Sequence, residues 1–149
     1  MSKLKAVILL GSLKSGSETT NTLILSQFLA KRLSTFDTEC EIVRLANYDI
    51  KPGAYTEINS ENDDWLVILE KILNSDTVIF ATPVWWGIQS SFIQRTIERL
   101  DGLHDKIMET GKSRLTNKVA GIIITGDSDG AEHIIGNLAN FFVTLLLWD

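Results

Sequence analysis

The chain has 149 residues and a mass of 16.6 kDa, enough for one globular domain whose core needs no disulfide or metal to hold it. Its 44% hydrophobic and 22% charged residues exclude a disordered, collagenous or coiled-coil chain. The net charge is −5 with scattered cations, which argues against nucleic acid or an anionic membrane as partner, and the single cysteine, Cys40, excludes an intramolecular disulfide and a Cys-based zinc or iron–sulfur site.

Ala6 to Leu10 is continuously apolar and stops at Gly11, as expected of a strand covered on both faces. The run is too short to cross a bilayer and lacks a cleavage site, so the expected location is the cytoplasm. Residues 11–22 are rich in glycine, serine, threonine and asparagine. From Thr22 to Leu33, the residues Leu23, Leu25, Phe28, Leu29, Ala30 and Leu33 form a helical stripe. Glu39 to Leu45 roughly alternates polar and apolar residues, the pattern of an edge strand. Asp63 and Asp64 read as the capped start of a helix that carries Leu66, Ile68, Leu69 and Leu73.

Thr77 to Ala81 reads as a second buried strand, followed by a loop with Pro83 and Gly87 and by a helix from about Ser90 to Leu103. Residues 105–117 read as a polar connection, Val119 to Ile124 as a third buried strand, and Ala131 to Leu147 as the last helix. Strands alternating with helices predict an α/β fold with a doubly wound parallel sheet. Ligands of such sheets bind beyond the carboxyl ends of the strands. That rule selects three loops, at 11–22, 82–89 and 125–130.

The first loop joins a strand to a helix, so its backbone N–H groups and hydroxyls suit an anion, with Lys14 adding one charge. It matches neither the Walker pattern nor Gly-x-Gly-x-x-Gly, and a plain loop capped by Thr20 or Asn21 fits the same residues. The second loop sets Trp85 and Trp86 between Pro83 and Gly87. Two adjacent tryptophans suit a flat ring with a polar edge, or else a hydrophobic plug or subunit contact. In the third loop Asp127-x-Asp129-Gly130 lacks the spacing of a calcium loop, so no metal is expected. His133 could donate to a ligand or simply face solvent. No Gly-x-Ser-x-Gly elbow is present, and no protein nucleophile is expected.

Together these segments resemble the flavodoxin-like NAD(P)H-dependent FMN reductase family over nearly the whole chain. The resemblance rests on GSLKSGSETTNT (11–22), DDW (63–65), ATPVWWGIQSSFIQRTIERLDGL (81–103) and NKVAGIIITGDSDGAEHI (117–134). It implies strand order 2-1-3-4 and places Ser12, Lys14, Ser17, Asn21 and Thr22 around the FMN phosphate. It places Pro83, Val84, Trp85, Trp86 and Gly87 along the isoalloxazine, and Thr125, Gly126, Asp127, Gly130 and His133 at its other wall. Related iron–sulfur flavoproteins carry a cysteine cluster after the second strand; here Ile50 to Tyr55 holds none, so no cluster is expected.

The resulting expectation is an FMN-dependent oxidoreductase, reduced by NAD(P)H, that passes electrons to a small acceptor such as a quinone or flavin. The flavin would carry the chemistry, with no catalytic side chain. Rival readings are an electron carrier and a cofactor-free interaction module; a phosphotransfer receiver is disfavoured because no acidic pair follows the first strand. The family's habit implies a dimer or tetramer. Residues 1–149 read as one domain that stops before a fifth strand, which would leave Val119 to Ile124 as an exposed edge. A truncated domain of that kind would dimerise over the edge or be destabilised, with weakened FMN affinity.

Overall fold

In the computed structural model, residues 3–58, 61–126 and 129–146 are described, apart from the side chains of Leu145 and Leu146. The elements are β1 (Leu4–Leu10), α1 (Asn21–Ser34), β2 (Thr38–Arg44), α2 (Trp65–Leu73), β3 (Thr77–Pro83), α3 (Ser91–Asp101), α4 (His104–Thr110), β4 (Val119–Thr125) and α5 (Ala131–Leu146). The four strands form one sheet in the order β2-β1-β3-β4, with every pair parallel. This is the flavodoxin-like arrangement expected from the alternation of strands and helices. No described helix is long and apolar enough to cross a membrane.

Strand geometry sends successive side chains to opposite faces, and the core divides accordingly. Val7, Leu9, Val78 and Phe80 face α2, α3 and α5 through Ile68, Ile72, Ile93, Ile134 and Leu138. Ile8, Leu10, Ile79, Ala81 and Ile123 face α1 through Leu23, Leu29, Ala30 and Leu33. Four of the six predicted stripe residues on α1 therefore face the sheet. Leu25 and Phe28 point outward, while the buried positions on this helix include two hydroxyl residues, Thr22 and Ser26. Among the described residues β4 pairs only with β3, so its outer edge is unpaired, and Val119 is exposed. Phe141 and Phe142 are half-buried against Phe80, with ring centroids 6.0 and 5.1 Å away.

One expectation is corrected and one refined. The stretch read as a polar connection contains α4, a short helix anchored by buried Ile107 and ended by Gly111. The two aspartates do open α2, but the side-chain bond to the helix comes from Asp63, whose Oδ1 accepts the Trp65 N–H at 3.3 Å. Asp64 holds the cap position without a side-chain cap bond, and its carboxylate accepts the Asp49 N–H at 2.8 Å. Asp63 accepts from Arg99 Nη1 at 2.8 Å and from the Lys51 N–H at 3.1 Å.

Arg99 is fully buried and also donates to the carbonyls of Lys51, Tyr55 and Thr56 at 3.0, 3.1 and 3.0 Å, with its guanidinium over the Trp65 ring. One guanidinium thus fastens the irregular segment after β2 to α3. Removing one partner of a buried pair strands the other charge, so Asp63→Asn or Arg99→Met should lose about 3–5 kcal/mol of stability. Urea unfolding measures this, and a loss of less than about 1 kcal/mol would show that the pair does not hold the segment.

Candidate functional site

The register sets the strand ends side by side: Leu10 pairs with Ala81, and Pro83 with Thr125. The loops that leave β1, β3 and β4 therefore emerge together. Three bonds tie them. The Gly11 N–H donates to Ala81 O at 2.7 Å, the Val84 N–H donates to Thr125 O at 2.8 Å, and the Thr22 and Thr125 hydroxyls meet at 2.7 Å.

The first loop crosses the start of α3 so closely that a Cβ on Gly11 would lie 2.4 Å from Ile93 Cγ1. Ser12 is 3% exposed, and its Oγ has no partner among the described residues. Thr20 Oγ1 accepts the Leu23 N–H at 3.1 Å and caps α1, whose first turn carries no acidic residue. The positive end of the helix dipole thus faces the loop uncompensated. Lys14 is exposed and pairs with Glu18 at 3.7 Å.

In the second loop the buried Thr82 hydroxyl accepts the Ser90 N–H at 2.9 Å, and Ser90 Oγ accepts the Ile93 N–H at 3.4 Å to cap α3. Trp85 and Ile88 exchange backbone bonds of 2.9 and 3.1 Å around Trp86 and Gly87, both at positive φ. That is a tight two-residue turn of the I′ kind. It lifts Trp86 into solvent at 99% exposure and leaves Trp85 at 47%. The third loop packs backbone to backbone on this turn, since a Cβ on Gly130 would lie 2.4 Å from Gly87 Cα.

A cleft of about 240 Å³ lies where the loops meet. Ser12, Lys14, Asn21 and Thr22 line it from the first loop, with Leu13 and Thr20; Pro83, Val84 and Trp85 come from the second, and Thr125 and Gly126 from the third. The remaining expected site residues lie elsewhere. Ser17 is exposed on the turn of the first loop, Trp86 stands at the tip of the second, and Gly87 and Gly130 form the contact beneath Trp86. His133 is exposed on α5, its Nε2 3.2 Å from Asn137 Nδ2, and Asp127 lies outside the described residues.

Sequence reading missed several residues that build this cleft. Thr82 and Ser90 shape the second loop. Arg44 and Asn47 reach the first loop from the end of β2: Arg44 donates to Lys14 O and Glu18 O, and Asn47 Oδ1 accepts the Gly16 N–H at 2.8 Å. The parallel pairing of Leu10 with Arg44 is the signal that could have placed them. Cys40 is half-buried on β2, and burial pushes its thiol pKa up, away from a reactive thiolate.

Residues 4–148 match the family model described as NADPH-dependent FMN reductase. The chain is 29% identical over 145 residues to the 8-demethyl-8-aminoriboflavin-5'-phosphate synthase of Streptomyces davaonensis, covering 92% of this chain and 56% of that protein. It is 28% identical over 120 residues to the iron-sulfur flavoprotein of Archaeoglobus fulgidus, covering 76% of this chain and 57% of that protein. The chain thus spans somewhat over half the length of these curated relatives. Among solved structures, RosB with its bound intermediate 8-demethyl-8-formylriboflavin-5'-phosphate superposes with a TM-score of 0.85 at 28% identity, over 96% of this chain and 60% of that one. With the fold, the three-loop cleft and a family match across almost every residue in agreement, this chain belongs to the NADPH-dependent FMN reductase family.

Proposed function

We propose that this protein is an FMN-dependent oxidoreductase that takes hydride from NAD(P)H and passes electrons to a small acceptor such as a quinone or a flavin. The observation that carries the reading is the buried Ser12 Oγ, without a partner among the described residues, beside the uncompensated N-terminus of α1. A polar atom left unsatisfied in the interior costs about 1–3 kcal/mol, and a phosphate ester supplies the missing acceptor. The residues present therefore fit the flavin's phosphate.

Ser12, Lys14, Asn21 and Thr22 would hold that phosphate, with Ser17 at the rim of the loop. Pro83, Val84 and Trp85 would line the ring, with Trp86 and Gly87 forming the turn at its border. Thr125 and Gly126 would close the opposite wall, with Gly130 at the end of the same loop, His133 in the first turn of α5 and Asp127 next in sequence to Gly126. At about 240 Å³ the cleft is smaller than the usual range of roughly 300–1,000 Å³ for enclosed ligand pockets, so it suits the phosphate end of a larger ligand.

FMN, when bound, supplies the hydride and electron chemistry. The protein binds, orients and shields: neutral hydroxyls grip the anion, and the half-exposed Trp85 provides an apolar surface that keeps water off one side. The reading also places the protein in the cytoplasm as a dimer or tetramer that covers the apolar edge of β4.

A second reading takes a flavin phosphate as substrate. It is favoured by the relative whose name describes synthesis of a modified riboflavin 5'-phosphate and by the high superposition on RosB. Mass analysis of the flavin recovered after turnover separates the two: unchanged FMN identifies a cofactor, altered mass a substrate.

Three outcomes follow from the first reading. Protein reconstituted with FMN should show flavin bands that bleach on adding NAD(P)H under nitrogen; retained bands would contradict it. Charge-assisted bonds contribute about 1.5–3 kcal/mol each, so Ser12→Ala with Thr22→Ala should weaken FMN by about a hundredfold or more and leave riboflavin nearly unaffected. Equal losses would place the phosphate elsewhere. FMN should also quench tryptophan emission, and the quenching should be lost in a Trp85→Phe, Trp86→Phe variant, leaving Trp65, which is in the core, and Trp148, which lies outside the three loops in sequence, as the unquenched remainder. Undiminished quenching in that variant would return the loop to a subunit-contact role.

A further inference from the structure

Arg44 ends β2, the strand beside β1, and its side chain crosses to the first loop. Nη1 donates to Lys14 O at 2.9 Å and Nη2 to Glu18 O at 3.0 Å. The fork therefore holds both legs of the 15–18 turn, whose own closing bond, from the Glu18 N–H to Ser15 O, is long at 3.4 Å. Asn47 secures the middle of the same turn through Gly16.

The charge balance at Arg44 is unusual. The residue is 9% exposed, yet among the described residues its bonds run to neutral carbonyls, and no carboxylate pairs with it. Arg99, the other buried guanidinium, has Asp63. A cation withdrawn from water is unfavourable unless an anion compensates it. Lys14, the cation within the loop, shares its charge with Glu18.

We infer that Arg44 is a positioning residue for a phosphate ester bound in the three-loop cleft, clamping the loop and supplying an uncompensated positive charge behind it. This rests on the reading of that cleft as the flavin phosphate site. Arg44 does not line the cleft. It acts by holding two carbonyl oxygens to itself, which keeps their negative ends from turning toward the anion. Because a trans peptide is planar, the N–H groups of Ser15 and Thr19 then point away from Arg44. A planar fork suits this task better than a single ammonium, which can serve one carbonyl well but not two on separate legs.

The test titrates wild type, Arg44→Met and Arg44→Lys with FMN and with riboflavin by flavin fluorescence, with a thermal melt of each protein. Arg44→Met should weaken FMN about tenfold or more while riboflavin stays within about twofold. Arg44→Lys, which keeps the charge but loses the fork, should show a smaller loss in the same ratio. An unchanged FMN-to-riboflavin ratio in folded Arg44→Met, or an equal loss for both flavins, overturns the inference. Should Arg44→Met fail to fold, Arg44→Lys decides by the same ratio, and a wild-type value overturns it. Wild type that does not prefer FMN to riboflavin defeats the phosphate reading of the cleft itself, and this inference with it.

Discussion

Three parallel strands that finish side by side are the constraint on which the rest of the structure depends. Parallel pairing forces each loop to leave from the same end of the sheet, and the register brings those ends within a residue or two of one another. The bonds from Gly11 to Ala81, from Val84 to Thr125 and between Thr22 and Thr125 extend the ladder past the last strand residues. Three separate sequence segments thereby become one wall-to-wall cleft. The close approach of Gly130 to Gly87 shows how little room remains between the loops.

Polar groups in this fold are arranged by what they hold. Arg99 is saturated by a carboxylate and three carbonyls, so its charge is consumed inside the molecule. Among the described residues Arg44 and Ser12 are left incomplete, the first in charge and the second in hydrogen bonding. Interiors rarely tolerate such deficits without a reason, and both occur at or behind the same loop. The apolar cover is uneven too. Helices α2, α3 and α5 pack on one face of the sheet, whereas α1 meets the other face while Ile24, Leu25 and Phe28 remain exposed on it.

Much of the fold was legible because fully buried strands leave continuous apolar runs, as in Ala6 to Leu10 and Thr77 to Ala81. The family pattern in the loops then placed Ser12, Thr22, Pro83, Val84, Trp85 and Gly126 in segments that the fold does bring to one cleft. Long-range pairings were not legible. Nothing in the local pattern says that Asp63 meets Arg99 as well as the start of its own helix, or that Arg44 reaches Lys14 and Glu18. The turn that carries Trp86 was hidden for a different reason. A two-residue turn of this type is usually announced by Asn-Gly or Asp-Gly, and the Trp-Gly pair conceals it. Helix α4 was missed because its seven residues contain one buried apolar anchor, too few to establish a period.

The central claim is that one cleft at the carboxyl ends of the strands receives a flavin phosphate. A second cavity of about 380 Å³, lined by Lys5, Glu39, Glu41, Glu70 and Lys71, offers a polar alternative along β1, β2 and α2. Mapping amide chemical shifts of nitrogen-15-labelled protein as FMN is added compares the two directly. The account predicts that the largest changes fall on Ser12 to Thr22, Val84 to Gly87 and Thr125 to Gly126. Changes centred instead on Lys5, Glu39, Glu41 and Lys71, or a spectrum that FMN leaves unaltered, would contradict it.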